Sequence, residues 1–262
     1  MASILDPQAR GRVILVGAGP GDPGLLTVRA VEALKSADVV VHDGLIDPAV
    51  LDIAPADAHR ISVAKKRSKH TLSQDAINAL IVAHVKAGAI VVRLKGGDPF
   101  IFGRGGEEVE HLRAAGIQVE VVSGITSGLA AVTSLGVPLT HREHAHGVVF
   151  VTGHAKPGDE GTDWRALAAT VRDAKLTLVI YMGVSSAQRI QDELLTGLPA
   201  GTPVAVVQRA SLPDQRHSVT TLGALCATIA HDALASPSVI VVGDVISGVA
   251  AATQATPSRR TA

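Results

Sequence analysis

Arg12-Val13-Ile14-Leu15-Val16-Gly17-Ala18-Gly19-Pro20-Gly21-Asp22-Pro23-Gly24 leads from an apolar strand into a loop of glycines and prolines. Residues 25–36 then carry apolar side chains at helical spacing. The same order recurs downstream. Strands are expected at 12–16, 38–41, 60–64, 90–94 and 119–122. A helix capped by Ser73 places Ile77, Leu80, Ile81, His84 and Val85 on one face and ends at Gly88. Another helix spans 107–115 and stops at Gly116. Strands alternating with helices in this way build a parallel sheet with helices on its faces.

Residues 136–146 interrupt the rhythm with Pro138 and three histidines. A second α/β series follows, with strands at 148–152, 176–181, 204–207, 217–221 and 239–242. Its helices fall near 164–173, 187–195 and 225–235. The expected architecture is therefore α/β, two domains with mainly parallel sheets. One domain covers 11–140 and the other 147–249. The stretch 250–262, rich in Ala, Thr, Ser and Arg, reads as a frayed tail.

The 262 residues suffice for two such cores. Only 2% are aromatic, so the cores must come from Val, Leu, Ile and Ala. Val39-Val40-Val41 and Val239-Ile240-Val241-Val242 read as buried strands. Lys plus Arg equals Asp plus Glu, and the zero net charge argues against nucleic acid as a partner. Cys226 is the one cysteine, so no intrachain disulfide can form and a reducing compartment is the expected setting. No apolar run approaches the length of a membrane span, and the first ten residues lack a signal peptide's apolar centre. These features describe a soluble cytoplasmic protein.

Gly19, Gly21 and Gly24 satisfy G-x-G-x-x-G, and Asp43 stands about 20 residues on, where a dinucleotide's ribose partner is expected. A nicotinamide-dependent dehydrogenase is thus one reading of the loop. Pro20 and Pro23 oppose it. A pyrophosphate is cradled by backbone N–H groups, and proline has none. A plain strand–helix turn without ligand is another reading.

The run Lys95-Gly96-Gly97-Asp98-Pro99-Phe100-Ile101-Phe102-Gly103-Arg104-Gly105-Gly106-Glu107-Glu108 follows the fourth strand. Ligands on parallel sheets bind beyond the strands' carboxyl ends. Paired glycines there admit a ligand close to the backbone. Asp98 could accept from a ribose or an amino group.

On these two motifs the chain resembles the tetrapyrrole methylase family, and its branch that C-methylates uroporphyrinogen III. Gly124-Ile125-Thr126-Ser127, Pro138-Leu139-Thr140-His141-Arg142, Val151-Thr152-Gly153-His154 and Tyr181-Met182-Gly183 match in family order. The resemblance implies two α/β domains with S-adenosylmethionine folded into the cleft between them, leaving S-adenosylhomocysteine as product. It implies methylation at C2 and C7 to give precorrin-2, for sirohaem or cobalamin synthesis, by a homodimer. Pro20, Gly96, Gly97, Asp98, Ile101, Thr126, Ser127, Met182 and Ala210 become the cofactor contacts. Asp43 becomes the proton acceptor and Lys65 the proton donor. Arg104, Glu107 and Arg142 face the substrate, and Arg104 is also implicated in proton abstraction. A guanidinium stays protonated, which favours a carboxylate-holding role for Arg104. Lys65, Lys66, Arg67, Lys69, Arg104 and Arg142 together could form a basic rim for a substrate rich in carboxylates.

The chain departs from the family pattern at Gly44, where arginine is usual, at Ala64, where glycine is usual, and at Ser123, where proline is usual. Another precorrin methyltransferase is the nearest alternative. From a different class, His141, His144 and His146 raise a metal-binding tetrapyrrole carrier, although zinc sites usually add cysteine or an acidic partner. No metal is expected for the methyl transfer. Cys226 falls in a helical pattern and reads as a core residue.

Overall fold

The computed structural model describes residues 11–64, 72–155 and 158–248. The chain divides into two compact units between Thr126 and Ser127. This division precedes the 140–147 boundary expected from the sequence. Lys65 and the tail at 250–262 lie outside the described residues.

In the first unit β1 (Arg12–Gly17), β2 (Val39–His42), β3 (His59–Ser62), β4 (Ile90–Lys95) and β5 (Val119–Val122) form one sheet. Its order is β3-β2-β4-β1-β5, and every pairing is parallel. All five carboxyl ends therefore share one edge. Thr27 caps α1 (Val28–Lys35) by accepting from the Ala30 N–H. Ser73 caps α3 (Gln74–Lys86) as expected, accepting from Ala76. The short α2 (Pro48–Leu51) was not legible in the apolar pattern; Asp47 caps it and Pro48 opens it. α4 spans Gly105–Ala114.

Side chains alternate across β4. Val92 and Leu94 join the core that Ala30 and Leu34 of α1 and Val50 of α2 complete. Val91 joins the opposite core, with Ile77 and Ile81 of α3 and Leu112 of α4. Period two places Arg93 and Lys95 on this second face, below α3 and α4. The sheet thus carries two cations into a region that is otherwise apolar.

The second unit begins with α5 (Ser127–Thr133), then β6 (Gly147–Thr152), α6 (Trp164–Asp173) and β7 (Leu176–Tyr181). It continues with α7 (Ala187–Leu194), β8 (Pro203–Gln208), β9 (Arg216–Thr221), α8 (Leu225–His231) and β10 (Ser238–Val242). The sheet order is β6-β7-β10-β8-β9. Here the expectation of mainly parallel pairing needs correction. Only β6 and β7 pair in parallel, whereas β10 runs against both β7 and β8, and β9 against β8. The seven residues from Arg209 to Gln215 are too few for a parallel crossover, so β8 and β9 must form a hairpin. β6, β7 and β8 still point the same way.

Among the described residues no helix is long and apolar enough to cross a membrane.

Helix α5 explains why the units divide where they do. Its Ala130, Ala131 and Val132 are buried, and it packs on β7 and β10. The Gly128 N–H donates to the Tyr181 hydroxyl at 2.9 Å. A Cβ at Gly128 would lie 2.4 Å from that oxygen, so only glycine fits. Replacing Tyr181 by Phe strands this buried donor. Tyr181→Phe is expected to cost about 1–3 kcal/mol of stability, read from denaturant unfolding.

Candidate active site

The loops after β1 and β4 are bound to each other. Ala18 N donates to Lys95 O at 2.7 Å, Gly19 N to Gly97 O at 3.2 Å, and Gly97 N to Gly19 O at 2.7 Å. Gly19 and Gly97 both have φ of 69°, a left-handed conformation that glycine adopts freely. The loop after β5 closes against them. A Cβ on Gly17 would stand 2.5 Å from Gly124 N, and one on Gly124 would stand 2.3 Å from Gly97 O. The three backbones meet because they lack side chains.

Asp98 braces this platform. Its Oδ1 accepts from Phe100 N at 2.8 Å and its Oδ2 from Gly124 N at 3.0 Å. Asp22 likewise accepts from Gly24 N at 2.7 Å. The N–H groups of Ala18, Gly19, Gly24, Gly97 and Gly124 are thus committed within the protein. A phosphate would find these five N–H groups already bonded, and Pro20 and Pro23 have none to offer. A carboxylate has about four acceptor positions, so Asp98 keeps capacity for a hydroxyl or amino donor. Pro20, Gly96, Gly97, Asp98 and Ile101 are all partly exposed at this edge, whereas Thr126 is buried.

Beside the platform lies a cluster of charges. Glu108 on α4 is fully buried, and Arg93 and Lys95 are nearly so. Glu108 Oε1 accepts from Arg93 Nη2 at 3.1 Å, Lys95 Nζ at 3.1 Å and Gln74 Nε2 at 3.0 Å. Asp43, just past β2, is about one-third exposed; its Oδ1 meets Arg93 Nη2 at 2.6 Å and its Oδ2 lies 3.7 Å from Lys95 Nζ. Two cations face two anions. Burial pushes the Lys95 ammonium below its ordinary pKa and Arg93 adds to this, while Asp43 and Glu108 oppose it.

Arg104 opens α4 from a left-handed conformation, φ 57°. Its guanidinium grips Glu107 with both arms, Nε to Oε1 at 3.1 Å and Nη2 to Oε2 at 2.6 Å. The hydrogen bond that Arg104 donates to Glu107 raises the Arg104 pKa above its ordinary value. A carboxylate approaching Arg104 would have to compete with Glu107 for its fork.

In the second unit, Ser127 opens α5, and Met182 and Ala210 stand just past β7 and β8 at one sheet edge. Met182 is exposed with φ 55°; Ala210 is buried between Arg209, φ 52°, and Ser211, φ 68°. Arg142 lines a surface hollow of about 410 Å³ with Thr140, His141, Ala145 and His146. His141, Glu143 and His144 bring ligand atoms within 4.8 Å of one another on an exposed turn. Glu143 is an acidic neighbour that the histidine spacing alone did not suggest, and His146 is not in the group.

Arg93 and Glu108 had no assigned role in the sequence. The available signal was Arg93-Leu94-Lys95 at the end of an apolar strand. Two cations on one buried face require buried anions.

The chain matches the model of the Tetrapyrrole (Corrin/Porphyrin) Methylases over residues 12–226 and belongs to that family. It is 47% identical over 241 residues to a siroheme synthase of Azotobacter vinelandii, covering 92% of this chain and 51% of that protein. A siroheme synthase 2 of Aeromonas hydrophila is 48% identical over 237 residues, covering 90% and 49%. The chain thus spans about half the length of the curated relatives it matches. Among solved structures, uroporphyrin-III C-methyl transferase from Thermus thermophilus complexed with S-adenyl homocysteine is 42% identical. That match has a TM-score of 0.76 and covers 91% of this chain and 100% of the other. A cobalt precorrin-4 methyltransferase, 24% identical with TM-score 0.81, shares the fold over 93% and 99%.

Two departures from the family pattern prove to be neighbours. A Cβ on Gly44 would lie 2.7 Å from the Cβ of Ala64. A side chain at 44 would therefore crowd the one at 64. Gly44→Ala is expected to destabilise by about 1–3 kcal/mol through overpacking. Ala64→Gly in the same chain should relieve that cost, giving a favourable coupling of about 0.5–3 kcal/mol in a double-mutant unfolding cycle.

Proposed function

We propose that this chain is an S-adenosylmethionine-dependent uroporphyrinogen-III C-methyltransferase, acting at C2 and then C7 to give precorrin-2 by way of precorrin-1. The observation that carries the reading is the inward commitment of the loop N–H groups next to a carboxylate, Asp43, at the same sheet edge. Such an edge suits a cofactor without phosphate and offers a proton acceptor beside it. The Thermus relative, crystallised with S-adenyl homocysteine, supports the same cofactor here.

Pro20, the Gly96-Gly97 backbone, Asp98, Ile101, Thr126, Ser127, Met182 and Ala210 are assigned to hold the cofactor. When bound, S-adenosylmethionine supplies a methyl group on a positively charged sulfur. The electron-rich pyrrole carbon of the substrate would take that methyl as its bond to sulfur breaks, S-adenosylhomocysteine would leave, and the macrocycle would then have to lose a proton. Asp43 takes it, since its carboxylate is partly exposed and Arg104 stays protonated. Lys65 is assigned the donor role implied by the resemblance. Arg104 and Arg142 hold substrate carboxylates, and Glu107 aims the Arg104 fork until a carboxylate displaces it.

The resemblance also supports a homodimer. A cytoplasmic setting suits the lone Cys226, whose thiol is pushed up by burial and so is less reactive. The product serves sirohaem synthesis in this proposal, as the names of the curated relatives suggest.

Anaerobic incubation with uroporphyrinogen III and S-adenosylmethionine should add two methyl groups to the tetrapyrrole, read by mass spectrometry. An unmodified substrate would contradict the proposal. Asp43→Asn should lower kcat by about 10²–10⁴ and leave S-adenosylhomocysteine affinity nearly unchanged. Arg104→Ala should lower kcat/KM for the tetrapyrrole, again with little change in S-adenosylhomocysteine binding by calorimetry.

A further inference from the structure

The buried charges beside Asp43 are more than the sheet needs. An apolar β4 would fold on α3 and α4 without them, and burying a cation is costly. Arg93 and Lys95 nonetheless sit on one face, each anchored to Glu108 Oε1 at 3.1 Å and each turned toward a different oxygen of Asp43. We propose that Lys95 is a positioning residue for the methyl transfer: its ammonium, tethered by Glu108, works with Arg93 to hold the Asp43 carboxylate in the orientation from which it takes the proton. The inference rests on the reading of Asp43 as acceptor.

The two cations are not equivalent. Arg93 is close to Oδ1, at 2.6 Å, and a guanidinium keeps its protons. Lys95 stands off from Oδ2 at 3.7 Å. Oδ2 is therefore the oxygen with room to receive a proton. The methylated carbon is quaternary and carries no hydrogen, so the transfer moves a proton from the bridging carbon beside that ring to Oδ2, and the C–H electron pair neutralises the iminium that methylation leaves. Nothing is oxidised or reduced. The proton leaves to water, because Asp43 is partly exposed.

The charged groups facing Lys95 are Asp43 after β2, Arg93 on β4 and Glu108 on α4; α3 adds the neutral Gln74 beside Glu108. Burial and Arg93 bring the loss of the Lys95 proton to lower pH than for an ordinary lysine. Activity should accordingly fall on the alkaline side as that ammonium neutralises and Asp43 loses one of its two restraints. Arginine at the same position keeps its charge throughout.

The test compares wild type, Asp43→Asn, Lys95→Met and Lys95→Arg in the full chain. It reads kcat and KM for uroporphyrinogen III across pH, with S-adenosylhomocysteine affinity from calorimetry. Lys95→Met should lower kcat by about tenfold or more while KM and S-adenosylhomocysteine affinity change less than about twofold. Lys95→Arg should recover most of kcat and carry activity to higher pH than wild type. Wild-type kcat in Lys95→Met overturns the proposal. So does an alkaline limb in Lys95→Arg that coincides with the wild-type limb, and this second criterion decides if Lys95→Met fails to fold. Full turnover in Asp43→Asn removes the acceptor reading and the positioning role together. Loss in Asp43→Asn with none in Lys95→Met removes the positioning role alone.

Discussion

Two cations at the buried end of one strand constrain the first unit more than any other feature. Arg93 and Lys95 cannot be left unpaired beneath α3 and α4, because removing a partner from a buried ion pair costs about 3–5 kcal/mol. Glu108 must therefore face the sheet, which fixes the rotation of α4. Asp43 must turn toward β4, which fixes the chain leaving β2. Arg104 and Glu107 precede Glu108 on the same helix start, so their position follows from that of the buried carboxylate.

The platform next to this cluster obeys a different constraint. Three backbones converge at Gly17, Gly97 and Gly124 because none carries a side chain, and their polar groups bind one another. The usual glycine-rich loop leaves N–H groups free for a phosphate. Here the loop spends them internally, and Asp98 spends part of its carboxylate on the same task. The result is a surface on which Asp98 keeps acceptor capacity while the N–H groups of Ala18, Gly19, Gly24, Gly97 and Gly124 are already bonded. That character fits a cofactor bearing hydroxyl and amino groups and a positive sulfur.

Much of this was legible in the sequence. The strands of both sheets fall within about two residues of their expected ends, because apolar runs between glycines and prolines mark buried strands well. Strand direction in the second sheet was not legible. The valine-rich β10 reads the same whether its neighbours run with it or against it. Helix α5 was missed because it is only one short run from Ser127 to Thr133 with Gly128 inside it. Its stability comes from Tyr181 and the sheet below, far along the chain. At the site, the glycine–proline loop and the 95–108 run announced themselves by local spacing. The partnership of Arg93 with Asp43 and Glu108 did not, since the three come from β4, the end of β2 and α4. The closeness of Gly44 and Ala64 was not visible in the sequence, where they stood as two unconnected departures.

The central claim is that the loop edge accepts a sulfur-bearing nucleoside and not a pyrophosphate. Calorimetric titration of the purified chain with S-adenosylhomocysteine, beside an identical titration with a nicotinamide dinucleotide, tests it most directly. Saturable heat with the first and none with the second is the predicted result. Saturation by the dinucleotide with no response to S-adenosylhomocysteine would contradict the account.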